Sequence, residues 1–282
     1  IINRSEAVVT KAGNTLARTY EIKAKENVSL DATLVNRGYL YIANGANGSI
    51  VDTVTVFQGA DIAYADTRFA AVTAYDVVWA PFNCGATEPI GKDEVITTWT
   101  AEKCGYLYQW GRNVPFAYGG EPGDLYTGDL SVLDKYPNYN DACKNEGVYA
   151  NKFIKASGNT WFKDYKTGSI LTGDNAWPRE NQPCPEGWRV PTKAELGKID
   201  AISPRQSNGK WVSPDNNRFI MPSAGYRDGT GTSFNLGSEG CYWSSTYDAQ
   251  NACSYRLGIQ TGGSIFGTLS VSYTFLIRCV HE

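Results

Sequence analysis

Pro183-Cys184-Pro185-Glu186-Gly187-Trp188-Arg189-Val190-Pro191-Thr192-Lys193-Ala194-Glu195-Leu196 packs a cysteine, a tight turn, an aromatic strand and a helix start into fourteen residues. Pro185 through Gly187 can turn the chain, because proline presets φ and glycine accepts positive φ. Trp188-Arg189-Val190 then alternates as a short strand, with Trp188 and Val190 on one face. The spacing predicts a helix immediately afterwards. The Thr192 hydroxyl is placed to cap it, Glu195 is placed to reach back to the cap's own N–H, and Leu196, Ile199 and Ile202 form the inward stripe.

Downstream the pattern returns to strands, at Arg218 to Met221, Cys241 to Ser245, Ser254 to Ile259 and Tyr273 to Val280. Glycine-rich turns are expected between them, at Gly225 to Gly231, Gly237 to Gly240 and Gly262-Gly263. Upstream, between Arg112 and Gln182, the chain is rich in Gly, Asn, Asp, Pro and Tyr and reads as long loops. One helix is expected there, from Asp141 to Lys155 with Asn140 as its cap, weakened by Gly147. Few strands and few helices make this an α+β domain.

Residues 1 to about 60 read as all-β. Tyr20, Ile22 and Ala24 alternate with polar neighbours, Tyr39 to Ile42 forms a second strand, and Val54 and Val56 alternate with Thr53 and Thr55 in a third. Asn44-Gly45 and Asn47-Gly48 are turn dipeptides, so the last two strands are expected to form a hairpin. The organisation expected is therefore a β segment at 1–60, a connector at 61–74 and a larger domain at 75–282.

The 282 residues are enough for two such units, and 42% hydrophobic with 20% charged residues is ordinary globular composition. A net charge of −3 gives no electrostatic reason to expect nucleic acid or an anionic membrane as partner. No run of about 18 apolar residues is present, so no membrane insertion by this segment is expected.

Seven cysteines (84, 104, 143, 184, 241, 253 and 279) occur without any Cys-x-x-Cys pair. That pattern favours disulfides over redox or zinc motifs, with reduced core cysteines as the alternative, and it leaves Cys143 without a role. The single histidine, His281, is next to the last residue, which argues against Ser-His-Asp and Cys-His catalysis and against His-containing zinc sites.

The anchor stretch resembles a signature block of the major paralogous domain first catalogued in Fibrobacter succinogenes, a family of Bacteroidetes surface and pilus-tip-like proteins. Further blocks resemble the family pattern in order: Tyr75 to Gly85, Gly105 to Arg112, Met221 to Gly229, Tyr242 to Thr246 and Ile277 to Val280. The resemblance implies a C-type-lectin-like fold for about residues 75–282. Val51 to Gly59 is similar to the last strand of small immunoglobulin-like sandwiches, which implies a small all-β segment of that type, complete or not, ahead of the lectin-like domain. Because the lectin-like fold sets its two chain ends side by side, the resemblance implies a Cys184–Cys279 disulfide. Cys241–Cys253 and Cys84–Cys104 are the second and third expected pairs.

Calcium-dependent sugar binding is not expected, because Glu-Pro-Asn, Gln-Pro-Asp and Trp-Asn-Asp motifs are absent and Tyr242-Trp243-Ser244-Ser245 offers hydroxyls in place of carboxylate or amide oxygens. No cofactor is expected. A structural calcium in the loops near Asp124, Asp129 and Asp134 stays open. The ligand-binding candidates are Trp177, Arg179, Tyr226, Arg227, Asp228, Tyr247 and Asp248, an aromatic and planar-polar mixture suited to sugar faces and hydroxyls. Trp110, Trp188 and Trp243 read as core. Arg227 and Asp228, between glycines, are expected near solvent, either braced against one another or binding.

The resulting expectation is a non-enzymatic adhesin or pilus-tip-like protein, extracellular or on the outer-membrane surface after loss of a signal or lipid anchor. Its partner would be a glycan or a host or bacterial surface protein, with other pilus subunits as a further option. The alternatives are a formylglycine-generating-type thiol oxidase on the same scaffold and a purely structural display scaffold.

Overall fold

A computed structural model describes residues 2–12, 15–24, 36–43, 50–58, 71–118, 125–126, 137–156, 158–163 and 173–282, the first four stretches as backbone strands. Ile2–Ala12 pairs antiparallel with Thr15–Ala24, and Asn36–Ala43 pairs antiparallel with Ile50–Gln58. The second pair is the expected hairpin, with Leu40 opposite Val54; its turn dipeptides lie outside the described residues.

Past Ala71 the chain is β-rich with few helices, which agrees with an α+β class. The main sheet runs in the order Gly263–Ser270, Cys253–Gln260, Glu239–Asp248, Ala224–Arg227, Thr274–Phe275, Leu107–Gln109 and Pro115–Phe116, with Ser233–Leu236 also on Ala224–Arg227. Neighbouring residues on its strands point to opposite faces, and each face carries its own core. Trp243, Phe275 and Tyr108 join Trp110, Trp161 and Trp177 on one side. Tyr242, Leu276 and Leu107 join Trp79, Leu196 and Phe219 on the other.

A second sheet joins distant parts of the chain. Its order is Trp188–Arg189, Val280–His281, Val77–Trp79 and Val72–Ala74, so the last strand lies between the anchor strand and the first hairpin. The hairpin turns through Tyr75 and Asp76, both at positive φ (54° and 55°) without a glycine. Tertiary contacts hold them there: Tyr75 N donates to Asp215 Oδ2 at 3.1 Å, and the Tyr75 hydroxyl meets Ser213 Oγ at 2.7 Å. The connector expected at 61–74 thus ends inside this hairpin.

The anchor stretch folds as its residues require. Gly187 has φ 81°, and Trp188 N closes the turn on Pro185 O at 3.0 Å. Thr192 and Glu195 form a complete capping box on Lys193–Asp200. Leu196 and Ile199 are buried, but the helix stops at Asp200, which leaves Ile202 outside the stripe and 42% exposed.

Four points of the sequence reading are corrected or extended. The glycine-rich turn at Gly225 to Gly231 contains a strand, Ala224–Arg227, hairpinned to Ser233–Leu236. Gly225 is there for close approach: a Cβ on it would lie 2.3 Å from Phe234 O. Gly263–Ser270, for which no strand was expected, is an eight-residue edge strand. The helix expected at 141–155 breaks into Tyr139–Ala142, a 3-10 turn at Gly147–Tyr149 and a strand at Phe153–Ile154. Gly147 at φ 59° interrupts it, and Asn138 rather than Asn140 stands at the helix start, with no side-chain cap. Likewise the final strand, expected from Tyr273 to Val280, divides into Thr274–Phe275 on the main sheet and Val280–His281 on the second.

Candidate functional site

Most of the aromatic and charged residues proposed from sequence are structural. Trp177 is 0% exposed: its backbone N donates to Ser245 O, its Nε1 donates to Asn181 O at 2.9 Å, and its ring packs on Trp110. Tyr247 is buried and stacks on Trp110 at 4.8 Å. Both belong to a layer made when 173–177 runs along the bulged part of Glu239–Asp248, where Gly173 and Tyr247 exchange backbone bonds. A loop that pairs with the end of a strand left open by its neighbour buries its aromatics in this way, which corrects the expectation of an open stacking face.

Arg227, expected near solvent, is 1% exposed. Strand pairing turns its side chain inward, where its guanidinium donates to Ala117 O at 2.9 Å and Gly231 O at 3.0 Å. It does not pair with Asp228, whose carboxylate accepts from Thr230 and Thr232 and braces its own turn. Asp248 does the same for Gln250 and Asn251, and those donors hold its carboxyl below the usual range. Tyr226 is half-buried between Phe234 and Tyr273. Arg179 donates to Trp188 O and pairs with Glu282, tying the chain end to the anchor strand.

Of the expected disulfides, Cys184–Cys279 is present, with Cα atoms 5.9 Å apart. The other two are not formed. Cys253 faces Asp248, while Cys241 faces Gly258, five residues further along the Cys253 strand, or about 17 Å away. Cys104 is buried, while the Cys84 thiol donates to Pro183 O at 3.0 Å. Burial pushes the Cys104 thiol up to about 12 and raises those of Cys143, Cys241 and Cys253, so these four behave as small core residues.

Two clefts flank the Phe82-Asn83 segment, and sequence reasoning missed both. The first, about 170 Å³, lies between Phe82-Asn83, the Glu88 to Lys92 turn, Lys103, and the chain from Asn217 to Pro222. Its floor is Arg278, buried and saturated by Asn83 Oδ1 (2.9 Å), Ala80 O, Pro81 O and Ile220 O. Burial alone pulls that guanidinium down to about 10. The walls offer Phe82, Ile90, Pro89 and Pro222 as apolar faces, with Lys92, Lys103, Arg218 and Asn217 as donors and Glu88 as one carboxylate. Lys103 is held charged by its bond to Glu94. Among the described residues lining this cleft there is no serine, cysteine or histidine. The second cleft, about 320 Å³, has Cys84, Tyr106, Tyr108, Pro183 and Cys279 in its walls.

Among the described residues no cluster of three or more His, Cys, Asp or Glu could hold a metal ion; Asp124, Asp129 and Asp134 lie outside them. Among the same residues no helix is long and apolar enough to cross a membrane. No protein-family model, curated protein or solved structure matches the chain.

Proposed function

We propose that the chain is a non-enzymatic, cell-surface or secreted binding protein of adhesin type, with a C-type-lectin-like domain over about residues 75–282 behind a small immunoglobulin-like segment. The pairing of Val77–Trp79 with Val280–His281, with Cys184–Cys279 tying the anchor turn beside that last strand, supports the lectin-like reading. The observation that carries the binding role is the cleft over Arg278. Its cations and the Asn217 amide suit the hydroxyls and carboxylates of a glycan, or an acidic loop of a surface protein, while Phe82 and the prolines offer apolar faces. The cleft displaces Trp177, Arg227 and Tyr247 as the ligand surface, because those side chains are committed to the core. A thiol-oxidase role would need a cysteine pair, and Cys241 and Cys253 stand apart and buried.

The test is a glycan array with the intact chain, followed by titration of the best binder against Arg218→Ala and Lys92→Ala. Each substitution is expected to weaken binding tenfold or more with little change in melting temperature. An array without a binder, or a binder that both variants hold at full affinity, overturns the cleft as the ligand site.

A further inference from the structure

The main sheet ends on one side in an unguarded strand. Gly263–Ser270 forms that margin, eight residues long, and it pairs with Cys253–Gln260 residue for residue without a bulge. Its sequence, Gly263-Ser264-Ile265-Phe266-Gly267-Thr268-Leu269-Ser270, holds no charge and no proline. Folded proteins blunt sheet margins with short strands, prolines, bulges or charges, because an open margin is a template for any strand that meets it. The opposite margin of the same sheet is blunted in this way: Pro115–Phe116 is two residues long and begins with a proline.

The two-residue turn Thr261-Gly262 closes on the pair Gln260–Gly263, so the hydrogen bonds to the neighbouring strand fall at Gly263, Ile265, Gly267 and Leu269. Ser264, Phe266 and Thr268 therefore direct N–H and C=O away from the sheet, and among the described residues no backbone group bonds to them there. Ser270 also points outward, but its carbonyl accepts from Tyr273 N at 3.3 Å.

We infer that this margin pairs with the same strand of a second copy of the chain, antiparallel, about a two-fold axis at Phe266. That register engages all three open residues. Ser264 lies opposite the second copy's Thr268 and Phe266 opposite its twin, each pair exchanging two N–H···O bonds. On the other face Ile265, 45% exposed, lies opposite the second copy's Gly267, where a Cβ meets nothing within 4 Å, so an exposed side chain faces open space that it can fill. Phe266, which packs beside Gly197 of the capped helix, gains an aromatic cross-strand pair. Charge favours a like strand: all eight residues are uncharged, so self-pairing sets no like charges opposite one another and strips water from no ion on the strand, whereas a charged strand would find no counter-charge there.

The experiment is sedimentation of the intact chain across a concentration series, with amide hydrogen exchange on the same samples. A reversible monomer–dimer equilibrium is expected, with a dissociation constant on the order of 10–100 μM for an interface of this small size. The amides of Ser264, Phe266 and Thr268 should exchange more slowly as the dimer fills. Gly267→Lys places its side chain in open space in the single chain but in the position of the second copy's Ile265 in the dimer. It should weaken the dimer tenfold or more, with no loss of melting temperature in dilute solution. Thr268→Pro removes an outward N–H and should weaken the dimer to a similar degree. A chain that stays monomeric up to about 1 mM, a concentration well above the expected dissociation constant, overturns the inference. It does so whether these amides exchange freely, as in a margin open to a different partner, or slowly, as in one covered by the chain itself. A dimer that both variants hold at full affinity, or one that leaves the exchange of Ser264, Phe266 and Thr268 unchanged, overturns it as well.

Discussion

Arg278 donates to Asn83 Oδ1 at 2.9 Å across 195 residues of chain, and through this bond the link between the last two strands supports the Phe82-Asn83 segment that divides the two clefts. Asn83 is fully used: its Nδ2 donates to Cys104 O at 2.8 Å. Arg278 satisfies three carbonyls besides, with no carboxylate among its bonds, so its fork is a geometric clamp rather than an ion pair.

Arg278→Lys keeps the charge but cannot span four acceptors, leaving buried carbonyls unmet. A loss of about 2–4 kcal/mol in urea unfolding is expected, with Asn83→Ala costing somewhat less. Wild-type stability in Arg278→Lys would show that the clamp contributes nothing.

Glu195 governs part of the acid response. Burial pushes its carboxyl up, but the two-pronged Arg189 bond (2.8 and 2.7 Å) and the bond from Thr192 N outweigh this and set it below its ordinary value of 4.5. A carboxyl whose folded-state pKa is depressed contributes stability above the unfolded value, and that contribution fades as pH falls through the folded value. Glu195→Gln should therefore be less stable at pH 7 and lose less stability than wild type below about pH 4.5. Parallel pH–stability curves for the two proteins would contradict this.

Burial raises the phenols of Tyr108, Tyr139 and Tyr242 well above the ordinary value of 10. Since the unfolded chain releases these protons first, stability is complete below pH 10 and declines as pH rises beyond it. Absorbance titration should show these phenols ionising together with unfolding; reversible ionisation in the folded protein would refute their burial.

Trp177→Ala removes the ring between Trp110 and the backbone of Asn181. It should cost about 3–5 kcal/mol and lower the melting temperature, as expected of a core tryptophan. An unchanged melting temperature with lost glycan binding would restore Trp177 to the ligand surface.

Much of the local structure was legible. The turn at Pro185 to Gly187, the Trp188 strand and the Thr192–Glu195 capping box need only residues within four positions of one another, so their chemistry is readable in order. The Tyr75-Asp76 turn was not legible as a turn, because Tyr75 does not favour positive φ and its support comes from Ser213 and Asp215. Gly225 was misread for a similar reason: glycine marks either a turn or a close backbone approach, and only the facing Phe234 carbonyl distinguishes them.

By itself, then, the sequence determined the β-rich character, the anchor turn and its capped helix, because hydrophobic period, turn preference and capping act over one or two turns of chain. Only the tertiary structure decided that Trp177 and Arg227 are buried, that Cys241 and Cys253 stand apart, and that the Cys84 thiol meets the Pro183 carbonyl. Each of those outcomes depends on which distant backbone arrives alongside: Ser245 beside Trp177, Ala117 beside Arg227, Pro183 and Ile277 around Cys84. A polar or aromatic side chain is exposed or buried according to that neighbour, and its own identity does not say which.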